Sequence, residues 1–199
     1  MKIINCEQGT PEWFAARCGV PSASNFDKII TTKGEPSKQR TKYLYQLVGE
    51  RLCGKPEESY INGAMERGKV LEDEARKLYM FITGAEGQQV GFCLSDGYGS
   101  SPDGLVGEDG IIEIKCPLMS THVGYLLNNK LPTDYYQQTQ GNLLVTGREW
   151  LDFISYYPGI KPLIIRVTPD KNFQKALKAE LEIFCKELDA TFKKLGGGK

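Results

Sequence analysis

The sequence predicts an α/β fold, and three observations carry that expectation. Roughly the first 80 residues place apolar side chains at helical spacing. From Gln89 onward the chain breaks into short apolar runs divided by Gly, Asp and Pro. Helical periodicity then returns between and after two further strand-like runs. A chain of 199 residues, 40% apolar and 25% charged, matches ordinary globular proteins and has room for one sizeable core, so a single domain over 1–199 is expected.

Near the N-terminus, Thr10-Pro11-Glu12 combines a hydroxyl cap, a first-turn proline and an early acid, and opens a helix through Trp13 to Arg17. Ser22 and Ser24 open a short second helix, Ala23 to Ile30, and Gly34 and Pro36 break regular structure in the segment after it, a loop. A third helix is expected from Ser37 to Leu52, with Tyr43, Leu44, Leu47 and Val48 on one side. A fourth runs from Asn62 to Phe81 with Leu71, Ala75, Leu78 and Tyr79 as its stripe. Strands are expected at Val90 to Leu94, Gly97 to Ser101 and Ile111 to Ile114. Helices come next at Met119 to Leu127 and Thr133 to Val145, then strands at Trp150 to Tyr156 and Leu163 to Val167. A last helix, opened by Thr168-Pro169-Asp170, carries Phe173, Leu177, Leu181, Phe184, Leu188 and Phe192, which predicts a docked amphipathic helix before a frayed glycine tail.

Composition narrows the function. No apolar run reaches the roughly 20 residues of a membrane span, and Met1 to Cys6 lacks a secretory apolar stretch, so a cytoplasmic protein with no membrane partner is expected. Six scattered cysteines without a C-x-x-C pair suggest neither a zinc site nor a disulfide framework; reduced, mostly buried thiols are expected. Net charge is zero, yet Lys28 to Pro56 holds seven basic residues against two acidic ones, enough for one segment to meet phosphates or to form a solvated face.

The chemistry concentrates in Ser101-Pro102-Asp103-Gly104 followed by Glu113-Ile114-Lys115. With Asp103 at a turn and Glu113 to Lys115 on a strand, alternation puts Glu113 and Lys115 on one side and turns Ile114 to the core. Two hard carboxylates suit Mg2+, which takes one or two such ligands together with water and phosphate oxygens. A metal there polarises a phosphodiester and activates water, and the amine of Lys115 orients that water or stabilises charge on phosphorus. A turn aspartate followed by a strand with a surface ion pair fits the bare spacing as well.

These residues resemble the phage lambda exonuclease (YqaJ-type) branch of the PD-(D/E)xK nucleases. The likeness extends to Trp13 through Arg17, Ser22-Ala23-Ser24, Gly68-Lys69 through Glu72 with Ala75-Arg76, and Tyr136-Gln137-Gln138-Thr139-Gln140: five separated blocks, in order, over about Gln8 to Gly141. The resemblance implies a restriction-endonuclease-like core with a mixed central sheet flanked by helices. It implies Mg2+, with Mn2+ able to substitute, and digestion of double-stranded DNA from 5′-phosphorylated ends to leave a 3′ single strand. It also implies a homotrimeric ring and a single-strand annealing partner. Carried over, Asp103, Glu113, Glu72 and the Ile114 carbonyl hold the metal, Lys115 serves the attacking water and Gln138 lies beside them. Arg17, Ser24 and Ser101 match the positions that hold the 5′ phosphate, with Ser22 close by. Hydroxyls at a helix start also form an anion site on physical grounds, although N-capping alone explains Ser22.

Two other functions remain open on the residues. A restriction-type or structure-specific endonuclease would share the trio without needing Arg17 and Ser24, and a DNA-binding module with a decayed site is disfavoured by an intact Asp103, Glu113 and Lys115. His122, the only histidine, is expected in a core or surface role. Gly97, Gly99, Gly104, Gly107 and Gly110 are expected in hairpin turns, and most of Tyr135, Tyr136, Tyr156 and Tyr157 in packing.

Overall fold

Apolar strands bracketed by amphipathic helices must bury their faces against one another. The computed structural model describes residues 1–57 and 63–198. The chain runs β1 (Lys2–Ile4), α1 (Pro11–Arg17), a 3-10 helix (Ala23–Lys28), α2 (Arg40–Cys53), α3 (Gly63–Thr83), β2 (Gly87–Gln88), β3 (Phe92–Ser95), β4 (Tyr98–Ser100), β5 (Gly104–Val106) and β6 (Gly110–Lys115). It continues through α4 (Met119–Asn128), a 3-10 turn (Thr133–Tyr135), α5 (Tyr136–Thr146), β7 (Trp150–Ser155), β8 (Leu163–Val167) and α6 (Lys171–Lys194).

The central sheet is mixed, in the order β2-β5-β6-β7-β8. Only β6 and β7 pair in parallel, with Glu113 opposite Phe153 and Lys115 opposite Ser155. A parallel pair needs a crossover, and α4 and α5 supply it. A smaller antiparallel sheet, β1-β3-β4, lies apart from this one. The two faces of the central sheet arise from strand alternation. Ile112, Ile114 and Ile154 pack with Ala75 and Tyr79 of α3, while Ile111, Leu151 and Phe153 pack with Leu143 of α5. A further core joins Phe26 and Ile29 to Tyr43 and Leu47 of α2 and to Leu177, Leu181 and Phe184 of α6. Each such fully buried side chain contributes about 1.5–3 kcal/mol.

Several expectations need correction. The strands β1, β2 and β5 were not expected, since two or three residues carry no readable period. The element after Ser22 is a 3-10 helix, the third helix starts at Arg40 and not at Ser37, and the one expected from Thr133 splits into a 3-10 turn and α5. Asn62, the expected start of the fourth helix, lies outside the described residues. Of the five glycines expected in turns, Gly97 and Gly107 take positive φ in turns. Gly99, Gly104 and Gly110 lie in strands. At Gly110 a Cβ would come within 2.2 Å of the Trp150 ring, so close packing requires that glycine. Of the cysteines only Cys93 is buried, and Cys53 is exposed. The glycine tail, expected to fray, folds back, with Gly196 and Gly197 donating to the Lys193 and Phe192 carbonyls.

The basic stretch is also partly committed elsewhere. Arg40 pairs with Glu187 at 2.6 Å and Arg51 with Asp189 at 2.6 Å, tying α2 to α6 instead of facing solvent phosphates. His122 is fully buried, with Nδ1 2.7 Å from Ser155 Oγ and Nε2 3.1 Å from the Lys161 carbonyl, a core role.

Candidate active site

β6 carries the chemical residues because it is the central strand, fixed on both sides. Asp103 sits where the chain turns into β5: its N–H donates to the Ile112 carbonyl at 3.1 Å, and its Oδ2 accepts the Ile114 N–H at 2.6 Å. The aspartate therefore continues the β5–β6 ladder with its side chain, which locks it against the strand bearing Glu113 and Lys115. In an extended strand a residue's N–H and C=O face the same edge. The Ile114 carbonyl thus faces the edge where Asp103 lies, past the end of the β5–β6 pairing at Gly104 and Ile112.

Glu113 projects onto the α5 face of the sheet and is 1% exposed. Three donors surround its carboxylate: Lys115 Nζ at 2.6 Å and Gln138 Nε2 at 2.6 Å on Oε1, and Asn142 Nδ2 at 2.8 Å on Oε2. Gln138 and Asn142 are one helical turn apart on α5, so a single helix face grips both oxygens. From α3, Arg76 donates to Glu72 Oε1 at 2.7 Å and to the Asp103 carbonyl, bringing Glu72 to the same end of the sheet.

The electrostatics express this crowding of acids. Burial, reinforced by the charges of Glu113 and Glu72, raises the Asp103 carboxyl well above the usual range. Glu72 is raised too, by burial and by Glu113, with Arg76 opposing. Burial by itself would lower Lys115, but Glu113 and Asp103 outweigh it and raise the ammonium above its ordinary value. Among the described residues, no three Asp, Glu, His or Cys side chains form a ready metal-ligating cluster. The donors present still fit a hard divalent cation, because Mg2+ needs only one or two carboxylates beside oxygen donors and water, and carboxylates that repel one another gain from a cation between them.

The second assembly lies at the end of α1. Arg17 NH1 donates to Ser101 Oγ at 3.0 Å, and NH2 to Ser22 Oγ and Ser24 Oγ, both at 3.2 Å. The guanidinium stacks 4.2 Å over the Trp13 ring, one turn earlier on the helix. Trp13 Nε1 donates to Ser101 Oγ at 2.9 Å as well, so Ser101 accepts twice and its own hydroxyl proton is left to donate to a further acceptor. Ser22 makes no side-chain cap, so its hydroxyl serves Arg17 instead. Among the described residues no carboxylate lies within ion-pair distance of Arg17. Burial lowers its pKa, opposed by Tyr43, Glu113 and Glu50.

All nine expected side chains thus fall into two assemblies, Asp103, Glu113, Lys115, Glu72 and Gln138 in one, Arg17, Ser22, Ser24 and Ser101 in the other. Ser101 and Asp103 join them, two residues and at most about 7 Å of chain apart. A cavity of about 360 Å³ lies beside them, lined by Gln8, Trp13, Glu72 and Val90 among others, and of the nine side chains only Glu72 lines it. Trp13 and Asn142 were assigned no role from sequence. An indole one turn from an arginine and an amide one turn from Gln138 were the available signals.

Residues 12–149 match the profile of the YqaJ-like viral recombinase domain. Crystal structures of LHK-Exo, an alkaline exonuclease from Laribacter hongkongensis, superpose closely. The complex with dAMP does so with a TM-score of 0.85 at 37% identity, and a second structure with 0.86 at 36% identity; each match covers 94% of this chain and 96% of the other. A phage related exonuclease from Haemophilus somnus 129PT shares the fold, with a TM-score of 0.69 at 15% identity over 88% of this chain and 96% of its own. No curated protein matches the chain.

Proposed function

The chain belongs to the YqaJ-like viral recombinase domain family, and from that premise we propose that it is a magnesium-dependent exonuclease. In this reading it digests linear double-stranded DNA from 5′-phosphorylated ends and leaves a 3′ single strand. The observation that carries the reading is the junction of the two assemblies, where Ser101 belongs to an arginine-serine pocket and Asp103, two residues on, to the carboxylates. A pocket for a terminal phosphate held that close to the hydrolytic centre selects the first phosphodiester of a strand.

Arg17 and the three serine hydroxyls hold the terminal phosphate through charge-assisted hydrogen bonds. Asp103, Glu113, Glu72 and the Ile114 carbonyl are the groups that hold Mg2+, or Mn2+ in its place. The bound metal supplies Lewis acidity toward the phosphodiester and acidifies water. Gln138 and Asn142 keep the Glu113 carboxylate in one orientation. Lys115 Nζ, which donates to Glu113 Oε1 at 2.6 Å, is the amine that orients the attacking water and stabilises charge on the phosphoryl oxygens.

The whole of 1–199 acts as one domain in this account. Ring trimerisation, a single-strand annealing partner and a cytoplasmic setting belong to this reading as what the resemblance to the lambda exonuclease branch implies. Among the described residues no helix is long and apolar enough to cross a membrane. The test is digestion with Mg2+ of linear duplexes carrying 5′-phosphate or 5′-hydroxyl ends beside a closed circle. Faster digestion of phosphorylated ends and an intact circle are expected; cutting of the circle would favour an endonuclease, and no cleavage at all a binding module.

A further inference from the structure

A carboxylate buried in the last turn of a helix is costly twice over, because it loses water and faces the negative end of the helix dipole. Glu50 accepts both costs: it is 8% exposed and lies one turn from the end of α2. Among the described residues it has no ion-pair partner. What it holds is backbone. Its Oε2 accepts the Gly19 N–H at 2.8 Å, while Oε1 accepts from Gln46 Nε2 at 3.0 Å and from the Glu57 N–H at 3.4 Å.

Gly19 is gripped from its other side too, since Arg51 Nε donates to its carbonyl at 2.8 Å. At φ +67, and with a Cβ that would lie 2.2 Å from Arg51 Cγ, the position admits only glycine. Around it, the Cys18 thiol points at the Glu50 carbonyl at 3.5 Å, and the Ser22 N–H donates to Tyr43 Oη at 3.4 Å. The turn from Cys18 to Ser22 therefore hangs from Tyr43, Glu50 and Arg51, which share one face of α2 by their spacing. Arg17 enters this turn and Ser22 leaves it.

We propose that Glu50 is the positioning residue of the arginine-serine pocket: by pinning the Gly19 amide it sets the turn that aims Arg17 at Ser22, Ser24 and Ser101. This rests on the reading of that pocket as the terminal-phosphate site. The requirement is reach more than charge. A glutamine can present its carbonyl to Gly19 while its NH2 faces a flipped Gln46 amide, giving up only the 3.4 Å bond from the Glu57 N–H, whereas an aspartate keeps the charge but falls one methylene short.

The experiment compares Glu50→Gln, Glu50→Asp and Glu50→Ala with the unaltered chain and with Arg17→Ala. Initial rates on 5′-phosphorylated and 5′-hydroxyl duplexes are separated into kcat and KM. Quenching of tryptophan fluorescence by a 5′-phosphorylated oligonucleotide reports Arg17 over Trp13. For Asp and Ala the phosphate-over-hydroxyl preference should fall about tenfold, through KM on phosphorylated ends, with the quenching lost; Gln should restore most of both. Should the Ala chain fail to fold, the Asp chain carries the same expectation. Retention by Asp with loss in Gln, or equal loss on both kinds of end, would overturn the proposal. If Arg17→Ala erases the preference while every Glu50 variant keeps it, only the Glu50 inference falls. If the unaltered chain shows no preference, the terminal-phosphate reading falls and takes this one with it.

Discussion

The two assemblies solve opposite electrostatic problems with different kinds of scaffold. The carboxylate centre gathers acids on the central strand of a sheet, with Glu113 inside the core and each of its oxygens hydrogen-bonded. The arginine-serine pocket gathers donors on the end of a seven-residue helix and a short 3-10 helix, where Ser24 is exposed, and borrows its rigidity from α2 behind it. Chemistry is placed where the backbone is most constrained, and recognition where a strand end can enter. The difference teaches that substitutions in the first should slow turnover on every substrate, and those in the second should change which ends are chosen.

That division can be broken by experiment. The largest effect is expected for Lys115→Ala, which removes the amine that donates to Glu113 Oε1 at 2.6 Å. The rate constant should fall by about 10²–10³ on phosphorylated and hydroxyl ends alike, with duplex affinity in a binding titration little changed. Asn142→Ala frees Glu113 Oε2 and should lower turnover by about 10- to 100-fold, again without regard to the end. A change in end preference for either variant would dissolve the distinction. Arg17→Ala should act the other way, lowering the phosphate-over-hydroxyl preference about tenfold in rates measured side by side.

The smallest effect is expected for Asp170→Asn, which touches neither assembly and serves as a control. Asp170 caps α6, accepting the Phe173 N–H at 3.0 Å and the Tyr136 hydroxyl at 2.8 Å. The bond to the Phe173 amide, with the Tyr136 hydroxyl, holds its carboxyl below the usual range. A depressed carboxyl contributes stability above its unfolded value of about 3.9, and that stability is lost as pH falls through the folded value. Asparagine keeps the cap, so thermal melts near neutral pH should shift little and their acid decline below about pH 4 should be shallower. End preference and turnover should stay as they were.

How much was legible in the sequence tracks the same division. The helices could be read because α3 and α6 repeat their apolar positions over many turns, and Asp103, Glu113 and Lys115 because one turn and one strand contain them all. The strands β1, β2 and β5 are too short to show alternation, and Gly104 and Gly110 resembled turn residues because strand packing against Ile112 and Trp150 is a tertiary fact. Arg17 and Ser101 lie 84 residues apart, so only the family likeness joined them before the coordinates did. Glu50 passed as one acid in a basic stretch, and Arg40 and Arg51 as two of its cations, because charge counts along a chain do not reveal that α6 lies opposite.

The central claim is that hydrolysis begins at the strand end held by Arg17 and its serines, and the most direct measurement tracks the label from that end. A linear duplex labelled at its 5′ phosphate and, in a parallel reaction, at its 3′ end is digested with Mg2+ and sampled within the first few turnovers. The account predicts immediate release of the 5′ label as a mononucleotide, with the 3′ label retained in long single strands. Early release of the 3′ label, or a 5′ label first appearing in internal fragments, would contradict it.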